Sequence, residues 1–478
     1  SSLCLRHAPS DMVFYCLDFG GGTLRALTEV PHVATVTPRT DVERVTRTVN
    51  DVLTQLEGRD ALFREHGVSS IEEFRRAKAA GRIQADAPGD IFLVVDGWGS
   101  FREEYDALDY TIADIAARGL NYGVHVVITV SQSMEVRMRM QPSFGGRIEL
   151  RLNDVFDTDF GRAVAEQITK ETPGRGAVEP GLIFQAALPR IDGVDDDEDL
   201  SDGQSALVQA IAEKWPGRAV ARVQVLPEQV LRSELPPVER EYPEIPVGVL
   251  DRNLRAASVD LLGGSSAHLL VFGDGETGKT NLLKLLLKGY MELRTPDELG
   301  IVVVDNRRSL LDVVPQEYLL AYSTDNEQTL GVSTEIAQSL RKRLPGKDVT
   351  SQQLRDRSWW KGLEVLFVVD DYDLVSTSSG NPLTPLIDYF AQGMDLGFHF
   401  VMARRMGGFA RAQFEPMVQR LTDLSVPGFI FSGDRMEGRV IGGVTAQRLP
   451  LGRALYANRN GLVGQVQTAL DDSDPPHP

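Results

Sequence analysis

The chain has 478 residues, 42% of them hydrophobic and 25% charged, and a formal net charge of −18 from 68 acidic and 50 basic side chains. At roughly 100–200 residues per domain this allows two to four globular domains and excludes a disordered or collagen-like chain. The acidic balance excludes a general nucleic-acid binder, whose affinity comes largely from neutralising phosphates, and apolar runs such as Ile91–Val95 fall far short of the roughly 20 residues of a membrane-spanning helix.

Taken in chain order, SSLCLRHAPSDMVF shows no secretory leader. Cys4 and Cys16 lack metal-ligand spacing and suit a reducing cytoplasm. FYCLDFGGGTLRAL (Phe14–Leu27) reads as a buried strand ending at Asp18, then a turn and an amphipathic stretch. IFLVVDGW (Ile91–Trp98) is a second strand, ending at Asp96, and NYGVHVVITV (Asn121–Val130) a third, followed by Ser131 and Gln132. PGRGAV (Pro173–Val178) closes this pattern. Strands alternating with helical stretches predict a parallel α/β domain over residues 1–195. Residues 196–244 read as a linker: an acidic run around Asp195–Asp199 that serves as a solvated tether, a helical SALVQAIAEKW, and a proline-rich LPPVEREYPEIP.

The same succession then recurs. GIVVVDNRRSLLDVV (Gly300–Val314), LFVVDDYD (Leu366–Asp373), DLGFHFVMAR (Asp395–Arg404) and PLGRALY (Pro450–Tyr456) repeat the earlier strings. Asp96 and Asp370 lie 274 positions apart, as do His125 and His399, while Arg175 and Arg453 differ by 278 and Asp18 and Asp305 by 287. Such near-constant spacing identifies an internal repeat. The second copy spans residues 245–470, and 471–478 form a proline-rich, disordered tail. The predicted fold class is α/β, with two tandem RecA/P-loop NTPase-like domains built on mainly parallel sheets.

The second copy carries GDGETGKT (Gly273–Thr280), which matches G-x-x-x-x-G-K-[ST] between a strand-like HLLVF and a helical NLLKLLLKGYM. Such a loop turns successive backbone N–H groups around phosphate oxygens at a positive helix terminus. Gly273, Asp274, Gly275, Glu276, Thr277, Gly278, Lys279, Thr280 and Asn281 are therefore the predicted nucleotide-binding residues. Lys279 would reach the β- and γ-phosphates and Thr280 would ligate Mg²⁺. Asp370, ending its strand beside this loop, is the second metal residue, and Asp371 is the candidate for polarising the attacking water. Many ring ATPases have Glu there, so the shorter Asp predicts slow or conditional hydrolysis. Arg404 and Arg405, ending the next strand, are candidate γ-phosphate sensors. In the first copy Asp96 is followed by Gly97, and the spacing puts a phosphate loop before residue 1, so SSLCLRHA reads as the tail of the helix that follows such a loop. No nucleotide site is predicted there.

These strings, with GGRIELRLNDVFDTDFGR (Gly145–Arg162), resemble the FtsK/SpoIIIE branch of hexameric ATPases. FYCLDFGGG, FLVVDGW, RSWW (Arg357–Trp360) and the tandem arrangement are similar to the second and third C-terminal ATPase modules of the EccC family of type VII secretion. The likeness covers nearly the whole chain. It implies ATP and Mg²⁺ as cofactors, a cytoplasmic ATPase at or tethered to the inner face of the membrane, oligomerisation when active, and contacts with other secretion-machine subunits. It also implies that the last module binds the C-terminal signal of a WXG100-type substrate in an apolar groove. In FtsK-like rings an arginine of the G-R-I-x-x-R string can reach a neighbour's γ-phosphate; Arg147 and Arg151 match it, whereas VPGFIFSGDRMEGR in the second copy does not. The alternatives are a DNA translocase of the same superfamily, disfavoured by charge and by the lack of a winged helix after residue 456, and a weakly hydrolytic substrate-recognition scaffold with structural ATP.

Overall fold

The computed structural model describes residues 2–83, 89–196 and 198–472. The chain divides into two compact units, Ser1–Val225 and Leu226–Pro478. The division falls inside the 196–244 stretch.

In the first unit β1 (Met12–Asp18), β2 (Val33–Pro38), β3 (Asp90–Asp96) and β4 (Val124–Ile128) form a sheet in the order β2-β1-β3-β4, with every pairing parallel. Helix α1 (Val42–His66) starts where the Asp41 carboxylate accepts from Arg44 N–H and stops at Gly67, whose φ of 64° suits glycine. Its apolar stripe, Val45, Val49, Val52 and Leu56, packs with Ile112 and Ile115 of α2 (Asp106–Arg118) on Tyr15, Leu17, Leu93 and Val95 of one sheet face. The other face is covered by the helical Ser2–Arg6 and by α3 (Leu200–Lys214), through Cys4, Leu207 and Ile211. A separate antiparallel sheet joins Ile148–Glu149, Arg175–Val178 and Leu182–Gln185.

The second unit has one ten-stranded sheet. Its strands are β5 (Ile245–Leu250), β6 (Ala256–Val259), β7 (His268–Gly273), β8 (Leu299–Val304), β9 (Leu319–Ser323), β10 (Glu364–Val369), β11 (Phe398–Arg405), β12 (Gly428–Phe431), β13 (Arg453–Asn458) and β14 (Gly461–Thr468). The order is β9-β8-β10-β11-β7-β12-β13-β14-β5-β6, parallel from β9 to β12 and antiparallel beyond. Helix α4 (Lys279–Leu293) buries Leu282, Leu283, Leu286 and Leu287 on one face, and α5 (Asn326–Lys342) buries Ala337 and Leu340 on the other. Buried on both sides, β7, β8 and β10 read as continuous apolar runs.

The repeat holds at the level of register. His125 pairs opposite Phe92, and His399 opposite Leu366, each pair 274 residues from its counterpart. The succession β2-β1-β3-β4 thus corresponds to β9-β8-β10-β11. Beyond β11 lies β7; the corresponding place beside β4 is filled by no strand among the described residues. The sequence pattern did not anticipate the short strands β2 and β9, nor the antiparallel half of the second sheet. Trp359 and Trp360 of RSWW pack around Arg343: the Trp359 indole donates to its carbonyl at 2.7 Å, and its guanidinium lies 4.4 Å from the Trp360 ring centre. Of the 471–478 tail only Asp471 and Asp472 are described; Asp471 pairs with Lys288 and Asp472 accepts from the Ser233 hydroxyl at 2.7 Å. Residues 473–478, and Asp197 of the acidic run, lie outside the described residues. Among those described, no helix is long and apolar enough to cross a membrane.

Candidate nucleotide site

The fully buried strand β7 ends at Gly273, where the chain turns through 274–278 into α4. Two of the glycines are required by space. A Cβ on Gly273 would stand 2.6 Å from Phe431 Cβ, and one on Gly278, at φ 117°, would meet the same ring at 3.0 Å. The loop is held on both sides: Asp274 N–H donates to Ser432 O at 2.8 Å, and Gly452 N–H to Thr277 O at 3.1 Å. Inside it the Thr277 hydroxyl and the Lys279 ammonium both donate to Asp274 O, at 3.0 and 2.7 Å. The Asp274 carboxylate faces Arg448 at 3.2 Å. Lys279 is buried, and that burial lowers its pKa against the opposing pull of Asp371, Asp370, Asp373 and Asp274.

Adjacent strands bring the Asp-ended β10 to this loop. The Thr280 hydroxyl donates to Asp370 Oδ2 at 2.8 Å, and Asp371 N–H to Asp370 Oδ1 at 3.0 Å. Burial pushes the Asp370 carboxyl up to about 6; the Thr280 hydrogen bond opposes this and Asp371 adds to it. A buried carboxylate raised in this way gains from a cation, so the Thr280–Asp370 pair fits a Mg²⁺ site. Asp371 sits in left-handed backbone at φ 48° and pairs with Arg307 Nε at 2.8 Å. Strand β11 runs between β10 and β7, with Arg404 opposite Phe272 and Arg405 opposite Gly273. Arg404 is buried and its Nε has no partner among the described residues, whereas Arg405 is exposed and its backbone N–H donates to Asp373 at 3.0 Å. Asn281 donates to Ala469 O at 2.7 Å and leaves its buried Oδ1 unpartnered. The buried Arg404 Nε is a donor of the kind a phosphate oxygen satisfies, and the Asn281 Oδ1 an acceptor suited to a cation or its water.

The structure thus gathers Lys279, Thr280, Asp370 and Asp371, with Arg404 on the intervening strand. Arg307 was missed by motif reading; the signal was the replacement of FGG after Asp18 by NRR after Asp305. In the first unit Asp96 accepts from the Thr129 and Thr23 hydroxyls at 2.6 and 3.3 Å, beside a cavity of about 360 Å³ lined by Gly20, Gly97, Ser131 and Glu135. Arg147 pairs with Asp159 at 3.3 Å, and Arg151 is exposed.

Residues 1–191 match the FtsK/SpoIIIE family model. Over 448 residues the chain is 33% identical to the ESX-1 secretion system protein EccCb1 of Mycolicibacterium smegmatis, covering 91% of this chain and 75% of that protein. The chain belongs to the EccC family of ESX secretion ATPases. The ESX secretion system protein EccC of Thermomonospora curvata is 40% identical over 99% of this chain, which spans 36% of that relative's length. The solved T. curvata EccC ATPases 2 and 3, in complex with a signal sequence peptide, superpose with a TM-score of 0.83 at 40% identity, covering 99% of this chain and 84% of that one. The tandem P-loop architecture is therefore that of the EccC ATPase domains.

Proposed function

We propose that the second unit binds and slowly hydrolyses MgATP as a motor or switch of type VII secretion, and that it recognises the C-terminal signal of a WXG100-type substrate. The convergence of Lys279, Thr280 and Asp370 supports the nucleotide half. Thr280 and Asp370 would hold Mg²⁺, which neutralises charge on the β- and γ-phosphates. Lys279 would exchange Asp274 O for phosphate oxygens. The guanidinium of Arg404, whose Nε has no partner among the described residues, would sense the γ-phosphate, with Arg405 the more exposed alternative. Asp371 would orient the attacking water. Steady-state turnover of the chain against Lys279→Ala tests this reading: loss of at least about tenfold is expected, and equal rates would refute it.

The substrate half is supported by a difference between the two units. In the first, Val220 N–H donates to Pro31 O at 2.9 Å and Val223 N–H to Ala34 O at 3.0 Å, so 220–223 lie along the outer edge of β2. The Val220 and Val223 side chains join the core beneath α1. The corresponding place in the second unit is an open groove of about 330 Å³ between α5 and the outer strands, where the apolar Leu320, Val332 and Ile336 stand beside Glu335, Ser339 and Arg343. Arg59 and Arg343 mark the equivalence: each donates to the carbonyl that ends the short helical turn just before β4 or β11, Tyr122 at 2.6 Å and Leu396 at 2.7 Å. Leu320 is 46% exposed there. A short segment with apolar residues three apart fits such a groove, and the T. curvata relative was solved with a signal peptide.

On this reading the protein works at the inner face of the membrane with other secretion subunits and oligomerises when active, Arg147 and Arg151 being the arginines available to a neighbouring nucleotide. A weakly hydrolytic scaffold is the second reading, favoured by the ion pair that engages Asp371. DNA that fails to stimulate turnover would separate both from a translocase.

A further inference from the structure

The two copies differ at one spatially paired set of positions. Asp371, directly after the Asp-ended strand β10, corresponds to Gly97 after β3. Arg307, two residues after Asp305 at the end of β8, corresponds to Gly20, two residues after Asp18 at the end of β1. β1 and β3 are neighbours, as are β8 and β10, so each pair lies across the tips of adjacent parallel strands. Where the acid is present an arginine faces it, Nε to Oδ2 at 2.8 Å; where the acid is glycine the arginine is glycine too. In the first unit that spot is crowded: a Cβ on Gly20 would lie 2.1 Å from Asp96 Oδ2, and one on Gly97 would lie 2.8 Å from Phe19 O.

The pairing is not explained as packing. Arg307 is 60% exposed in its side chain while Asp371 is 18% exposed. The ion pair therefore contributes little to stability. Its effect falls on what Asp371 can do, because a carboxylate engaged by a guanidinium is fixed in direction and has an oxygen already occupied. Asp371 also sits in left-handed backbone at φ 48°, and its carboxylate acts on Lys279 as well as on Arg307.

The geometry points to Arg307 as a positioning residue that latches Asp371 away from the attacking water, keeping the second unit slow until the pair is broken. This rests on reading Asp371 as the group that orients that water. Release would come from any event that draws the exposed Arg307 elsewhere, such as an acidic side chain of a neighbouring molecule.

The test is steady-state ATP turnover of the full chain with Arg307→Ala, Arg307→Lys and each change in an Asp371→Asn background, alongside binding of a fluorescent ATP analogue to wild type and Lys279→Ala. Arg307→Ala is expected to raise kcat about threefold or more with KM within about twofold. Arg307→Lys should restore much of the restraint, and Arg307→Ala should do nothing when Asp371 is already Asn. A fall or no change in kcat on Arg307→Ala, with Lys279-dependent nucleotide binding intact, overturns the latch and leaves the nucleotide site standing. Absence of Lys279-dependent binding overturns the site and the latch together.

Discussion

The Thr280 hydroxyl donates to Asp370 Oδ2 at 2.8 Å, which ties the start of α4 to the end of β10. The pair holds the two oxygen-bearing side chains that a Mg²⁺ site needs at hydrogen-bond distance. Thr280→Val keeps the shape and removes the donor, leaving a buried carboxylate short of one partner. The expected result is a loss of about 1–3 kcal/mol of stability in chemical denaturation, and a tightening of ATP binding on Mg²⁺ addition that shrinks at least about tenfold.

Burial that holds Asp370 at about 6, against an ordinary value of 3.8, makes its ionisation a cost to the folded state. The proton is bound more tightly folded than unfolded, so the stabilising contribution is full below about pH 4 and is lost as pH rises through about 6. Asp370→Asn removes that dependence. In the absence of metal it is expected to raise stability at pH 7.5 by up to about 3 kcal/mol, with the gain vanishing toward pH 4. Thermal melts across this range, without nucleotide, measure it. The same variant should lose Mg²⁺-dependent ATP binding.

The open groove on the second unit makes a separate prediction. Leu320→Glu puts a charge on the edge strand β9, at a side chain that is 46% accessible and rests over Gly300. Fluorescence anisotropy with a WXG100 C-terminal peptide should show affinity falling at least about tenfold, while ATP binding is unchanged. Equal affinity in the variant would remove the groove as the signal site.

Much of this was legible in the chain because the physics is local. GDGETGKT, the Asp-ended strands and the offset of 274 between Asp96 and Asp370 each follow from a strand tip or a phosphate loop with a fixed chemical requirement. The order of the strands was not, since register depends on pairings between residues such as Leu366 and His399 that no short string encodes. Nor were Arg307 or the groove. Arg307 matters only through an acid 64 residues further along, and the groove is visible only because Val220 and Val223 fill its counterpart.

The strongest test of the account is isothermal titration of MgATP into the chain and into Lys279→Ala. One site per chain is expected in the wild type, with affinity at least about a hundredfold weaker in the variant. Equal affinity and stoichiometry in both proteins would contradict it, because the nucleotide would then be held somewhere other than the loop of the second unit.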